Sequence, residues 1–168
     1  TSCGGSADTA PTVSATSPTN GATAIATNSD IAITFSEAVN VTGNWFTITC
    51  VSGLRTATVT GGPTTFTLNP DSDFASGESC TVTIIADNVT DQDSNDPPDK
   101  MAANDSFSFT TVAASVITPI NAIQGSGDTT TAGSFTVEAI VVGDYQTQGS
   151  GQLRGFFIQE EDSDVDAN

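Results

Sequence analysis

Two cysteines, Cys50 and Cys80, each fall in phase with the apolar positions of an alternating run, and this constrains the chain more than any other feature. In Trp45-Phe46-Thr47-Ile48-Thr49-Cys50 the alternation puts Phe46, Ile48 and Cys50 on one face. In Cys80-Thr81-Val82-Thr83-Ile84 it puts Cys80, Val82 and Ile84 on one face. Both segments read as strands with one buried side, and both thiols point into the same core. An inter-sheet or cross-strand disulfide needs that arrangement, with Cα atoms ~4.4–6.8 Å apart. The alternative is a pair of reduced thiols in the core. A bridge would contribute roughly 3–4 kcal/mol on the chain-entropy account and would place the chain in an oxidising, extracellular compartment. Cys3 has no counterpart and reads as a bystander or the partner of an upstream segment, since no apolar stretch precedes it as a lipid anchor would require. The N-terminus reads as mature sequence or a cut end.

Further short alternating runs recur between turn signals. Thr12–Thr16 precedes Ser17-Pro18-Thr19-Asn20-Gly21; Asp30–Ser36 directs Ile31, Ile33 and Phe35 inward; Trp45–Val51 follows. Arg55–Thr60 turns through Gly61-Gly62-Pro63 into Thr64–Leu68, then come Ser79–Ala86, a polar loop over Asp87–Asp105, and Ser106–Val112. No segment shows a sustained helical apolar period, and no apolar run approaches the ~20 residues that span a bilayer. Seven strands in about a hundred residues predict an all-β, seven-stranded immunoglobulin-like β-sandwich. Its expected core is Ile33, Phe35, Ile48, Phe66, Leu68, Val82, Ile84, Phe107 and Phe109.

Four spaced motifs make the likeness specific: Pro18-Thr19-Asn20-Gly21-Ala22, Ile33-Thr34-Phe35-Ser36-Glu37-Ala38-Val39, Asp91 after Val89, and Phe107-Ser108-Phe109-Thr110-Thr111. Together they resemble the bacterial Ig-like domain of surface-layer and secreted proteins, over roughly residues 10–112. The resemblance implies a spacer, adhesive or stalk role. Where that family usually has an aromatic before its long penultimate strand, this chain has Cys80, which removes the tyrosine whose hydroxyl would pin a corner.

Residues 113–122 read as a linker, and the composition then changes. Ile123-Gln124-Gly125-Ser126-Gly127, Val141-Val142-Gly143-Asp144-Tyr145 and Gly155-Phe156-Phe157-Ile158-Gln159-Glu160-Glu161-Asp162 resemble the opening of a β-barrel domain found upstream of the catalytic domain in bacterial secreted endonucleases and phosphoesterases. Strands are expected at Phe135–Val142 and Leu153–Gln159. Two or three strands cannot close a five-stranded barrel, so residues 123–168 read as an incomplete, OB-like β segment. The expected organisation is a tail over 1–9, the Ig-like domain over 10–112, the linker and this segment.

Charge excludes several functions. Residues 1–112 carry twelve acids against Arg55 and Lys100, and residues 113–168 carry eight against Arg154, for a total of −17. Nucleic-acid binding needs a cationic footprint that releases counterions, and three basic residues cannot build one. With no His, neither a Ser-His-Asp triad nor a His-based acid–base site can form. Two acidic clusters suit a hard cation, calcium above all. One is Asp87, Asp91, Asp93, Asp96 and Asp99; the other runs from Glu160 through Asp162, Asp164 and Asp166. The competing reading is a solvated loop whose Asx side chains cap turns. Trp45, opposite in phase to Phe46 and Ile48, is expected on the outer sheet face, half buried under a loop or open to a sugar or a partner domain.

The expected function is therefore a non-catalytic accessory or spacer module of a larger secreted, nuclease-like bacterial protein. Its partners would be neighbouring domains of the same polypeptide, and also a cell-surface protein or glycan. The alternatives are an adhesive or surface-layer unit and a calcium- or carbohydrate-binding domain.

Overall fold

A computed structural model describes residues 9–92, 98–124, 132–144 and 156–159. The chain divides into two compact units, residues 1–114 and 115–168. In chain order, the strands of the first unit are β1 (Val13–Ser17), β2 (Ala22–Ile25), β3 (Ile31–Phe35), β4 (Val39–Val41), β5 (Phe46–Cys50), β6 (Gly53–Arg55), β7 (Ala57–Gly61), β8 (Thr65–Pro70), β9 (Ser79–Ile84), β10 (Val89–Asp91) and β11 (Asp105–Thr111). They form a four-stranded sheet ordered β1-β3-β8-β7, a five-stranded sheet ordered β2-β11-β9-β5-β6, and a small β10-β4 ladder. All pairings are antiparallel except β2 with β11, which is parallel.

The sandwich expected from the alternation is present, and each of the seven expected strands has a counterpart. The nine residues expected in the core are all buried, the most exposed being Phe66 at 7%. Three or four residues are too few for a legible alternation, which is why β2, β4 and β10 were not anticipated. The expected Arg55–Thr60 strand is a different matter. It breaks at Thr56, so that β6 belongs to the five-stranded sheet and β7 to the four-stranded one. The stretch from Gly53 to Gly61 thus supplies the terminal strand of both sheets, changing sheet at Thr56. A turn at Gly61-Gly62-Pro63 ends it. Gly61 sits there at φ +86°, and a Cβ would come within 2.6 Å of the Thr65 carbonyl oxygen.

The segment expected as a polar loop over Asp87–Asp105 is partly regular. It holds a 3-10 turn at Ala86–Asn88, strand β10, and a bridge between Thr90 and Lys100. Among the described residues of this unit no α-helix occurs.

In the second unit the described residues form α1 (Ile120–Gln124) and two strands, β12 (Ile140–Asp144) and β13 (Phe156–Gln159). These pair antiparallel with a register shift between Val141 and Gly143, and Ile117 bridges Thr136. β12 starts later than the expected Phe135–Val142, and of the expected Leu153–Gln159 the described residues Phe156–Gln159 are strand. The helix falls where the chain was read as linker and loop. Among the described residues no helix is long and apolar enough to cross a membrane.

Candidate functional site

The register of the five-stranded sheet builds one polar cluster. Cys50 lies directly opposite Cys80 and the two are bonded, with Cα atoms 4.0 Å apart. That is a cross-strand bridge within one sheet, and its Cα separation is shorter than the ~4.4 Å lower bound expected. The reason is the ladder. The Val51 amide donates to the Ser79 carbonyl at 3.1 Å, so the neighbouring Cys50/Cys80 pair is the non-hydrogen-bonded kind, in which backbones approach to roughly 4.5 Å.

The same register places Ser52 opposite Glu78, two residues beyond the bridge. Glu78 is 6% exposed. Its Oε2 accepts from the Ser52 hydroxyl at 2.5 Å and the Ser52 amide at 3.3 Å, and its Oε1 accepts from the Ala75 amide at 2.7 Å and Arg55 Nη2 at 3.2 Å. Arg55 Nη2 also donates to Ser52 Oγ at 2.9 Å. From the other side, Thr111 Oγ1 accepts from the Glu78 amide at 3.0 Å and donates to the Ala75 carbonyl at 2.7 Å. Thr111 therefore pins the corner between β8 and β9.

Four donors fill the acceptor capacity of the Glu78 carboxylate, which leaves it no lone pair for a substrate proton or a cation. Cys50, Glu78 and Cys80 are also the group among the described residues whose ligand atoms cluster within 4.8 Å. The two sulfurs are joined and the carboxylate is committed, so this is a clamp rather than a metal centre. Burial pushes the Glu78 pKa up, but the hydrogen bonds from Ser52, Ala75 and Arg55 together outweigh it and hold the group below its ordinary value.

A carboxylate held below its unfolded pKa stabilises the fold above that pKa, and the contribution is lost as pH falls through the folded value. Glu78→Gln should therefore cost about 2 kcal/mol at neutral pH, the scale of hydrogen bonds to a charged group. The difference from wild type should shrink as pH falls below about 4, near the carboxylate reference range. Urea titrations of both proteins across pH check this; an offset that stays constant with pH would remove the carboxylate from the explanation.

The residues singled out in the sequence are placed differently. Trp45 is 4% exposed and belongs to the core, against the expectation of an outer-face position. Its ring lies 5.0 Å from Phe46, 5.2 Å from Phe66 and 6.2 Å from Phe35. Trp45 lies one residue before β5, and its carbonyl accepts from the Ile85 amide at 2.8 Å, continuing the β5–β9 register.

Asp91 was read as a loop acid open to a cation. It lies on β10 in phase with Val89 and is 4% exposed, its amide donating to the Asp99 carbonyl at 3.0 Å and its carbonyl accepting from Asn40 Nδ2 at 3.2 Å. Asp93, Asp96, Asp162, Asp164 and Asp166 lie outside the described residues. Sequence reasoning missed Glu78, although its signal was present: an acid two positions before Cys80, on the inward phase of that strand.

Beside the clamp lies an open groove of about 460 Å³, lined chiefly by Trp45, Phe46, Leu54, Arg55, Ala57 and Val59. Leu54 is 77% exposed and Val51, in the adjoining turn, 82%.

A search of the curated proteins finds no match. Among solved structures, the N-terminal part of the bacterial S-layer protein SbsC is similar at 17% identity with a TM-score of 0.45, over 66% of this chain and 25% of that one. CopC from Methylosinus trichosporium OB3b is similar at 15% identity with a TM-score of 0.43, over 64% of this chain and 99% of that one. The chain thus spans only a quarter of the SbsC fragment's length. The family described as the bacterial Ig-like domain matches residues 7–111, and no comparison supports the barrel resemblance expected for residues 123–168. That match covers more than half of the chain and coincides with the disulfide-bridged sandwich, so this protein belongs to the bacterial Ig-like domain family.

Proposed function

We propose that the chain acts as a non-catalytic spacer or binding module of a larger secreted or cell-surface bacterial protein. The observation that carries this reading is the saturation of Glu78. Among the described residues it is the acid at the centre of the polar cluster, and its bonds tie β5, β6, β9 and β11 to one another instead of facing a cleft. Arg55, a cation that a phosphoester site could otherwise use, is committed to the same clamp. The Cys50–Cys80 bridge supports an oxidising compartment. The finer reading, a nuclease-like parent, rests on the residue pattern of 123–162 alone.

The purified chain should show no turnover of plasmid DNA, RNA or an aryl phosphodiester with magnesium, manganese or calcium added. Metal-assisted cleavage needs fixed ligands, an activated water and positive groups on the phosphoryl oxygens, and a polyanion is repelled by a protein of net charge −17. Metal-dependent turnover abolished by substituting Asp91 and Asp93, or Asp162 and Asp164, would overturn the proposal. Intact mass of the protein recovered from the producing cell's exterior should be lower by two hydrogens than that of its reduced form. A fully reduced intracellular pool would remove the support for an oxidising compartment.

A further inference from the structure

The Cys50–Cys80 bond lies one layer from the end of the sandwich. Cys80 is 1% exposed and Cys50 6%, yet Val51 and Ser52, the two turn residues after Cys50, are exposed. Toward the interior the cover is complete. Ile48 and Val82, the next inward residues on β5 and β9, are fully buried, and Phe109 of β11 pairs with Cys80. On the β6 side the residue paired with Cys50 is Gly53, which has no side chain to place over the sulfur. Toward the end of the sandwich the cover is Glu78, whose carboxylate comes within 4.8 Å of both sulfurs.

Little else holds the turn down. β6 is three residues long and pairs with β5 alone, and Leu54 at its centre is exposed. The Val51 amide reaches the Ser79 carbonyl, and Arg55 Nη1 donates to Ser72 Oγ at 3.3 Å. The other ties all converge on Glu78: the Ser52 amide, the Ser52 hydroxyl and Arg55 Nη2. A short terminal strand with few buried apolar contacts is the kind of element that opens below the free energy of global unfolding. Here that opening is opposed chiefly by one carboxylate.

We propose that the Glu78 clamp gates the redox chemistry of the Cys50–Cys80 bond. With the clamp closed, a reductant reaches the sulfurs only when the whole sandwich unfolds. Without the carboxylate, the turn at Val51-Ser52 swings away with β6, and the bond reacts while the remaining strands stay paired. The reaction is thiol–disulfide exchange with a small dithiol. One thiolate of the dithiol attacks Cys50 Sγ; the S–S bond breaks, and its electron pair leaves on Cys80 Sγ, which takes up a proton. The second thiol, as its thiolate, attacks the dithiol sulfur of the mixed disulfide. That step closes the dithiol into a ring and releases Cys50, which takes up the other proton. The dithiol is oxidised by two electrons and the bridge reduced by two. What the gate confers is persistence of the bond among small thiols for as long as the fold stands.

The test is the urea dependence of the reduction rate of the full chain, at a fixed excess of dithiothreitol and below the unfolding transition. Newly formed thiols are trapped with iodoacetamide and counted by intact mass, while circular dichroism confirms the fold. Global unfolding exposes the full buried surface, so the logarithm of the wild-type rate should rise with urea at nearly the slope of equilibrium unfolding. In Glu78→Gln the amide nitrogen cannot accept, so two of the four donors lose their partner. Its reduction without urea should be at least about tenfold faster, the factor carried by one hydrogen bond to a charged group, and nearly independent of urea. Speed alone does not discriminate, because the substitution also lowers global stability; the loss of slope does. Ile31→Val, which weakens the core on the other sheet, should speed reduction and keep the wild-type slope. Should Glu78→Gln fail to fold, Ser52→Ala, which removes one donor to the carboxylate from an exposed residue, decides in its place. A wild-type rate already flat in urea would overturn the proposal. So would a slope in the deciding variant as steep as in wild type, or the same loss of slope in Ile31→Val.

Discussion

Replacing Trp45 by Ala should lower the unfolding free energy by about 4 kcal/mol, within the range for truncating a large aromatic in a packed core. The indole contacts Phe35 from β3, Phe46 from β5 and Phe66 from β8, so it joins the two sheets at one end of the sandwich. It also lines the groove beside β6 and β7. Trp45→Phe should recover roughly half of the loss, because area burial and an edge-on aromatic contact are partly retained. Urea unfolding followed by circular dichroism reads both variants. A loss for Trp45→Ala below about 1 kcal/mol, the scale of a surface substitution, would show that the ring does not bear on the core.

The second large effect concerns the bridge. Cys50→Ala combined with Cys80→Ala should cost about 3–4 kcal/mol, because the closed loop restricts the unfolded chain. Part of this arises in the unfolded state, so the slope of free energy against denaturant should also rise, as a longer free chain exposes more surface. Trp45→Ala should leave that slope unchanged, and this separates the two mechanisms in one experiment. Wild-type protein unfolded with a dithiol reductant present should match the double variant. A midpoint shift with no change in slope would place the contribution in the native contacts of the two sulfurs instead.

Much of this structure could be read from the sequence because the core strands are long enough to alternate. In Ile31–Phe35, Phe46–Cys50, Ser79–Ile84 and Asp105–Thr111 the apolar phase alone identifies the buried face. The pairing of Cys50 with Cys80 was legible for the same reason, and it also fixed a register. Carried two pairs further, that register sets Ser52 opposite Glu78, so the clamp was implicit once the bridge was accepted. It went unread because Glu78 lies just before the Ser79–Ala86 run in which the alternation was traced. The sheet switch at Thr56 was not legible. Arg55–Thr60 alternates without interruption, and only the separation of the two sheets in space obliges the strand to break. Asp91 misled in the opposite sense: its polar neighbours suggested a loop, whereas its phase with Val89 draws it inward.

The parallel pairing of β2 with β11 has a mechanical consequence. Tension entering β2 at Ala22 and leaving β11 at Thr111 runs along the two strands in opposite senses, because parallel strands present their upstream and downstream ends at opposite poles. The load then falls on the cross-links together, as shear, rather than opening them one after another from an end. The Gly21 amide on the Ser108 carbonyl at 2.7 Å and the Val112 amide on the Ile25 carbonyl at 2.7 Å mark the two limits of that shared patch. Should the patch yield, the Cys50–Cys80 bond withholds the thirty-residue span between its ends from extension. At ~3.3–3.6 Å for each extended residue, about 100 Å of contour stays folded away, and a tethered module lengthens by that much less under strain.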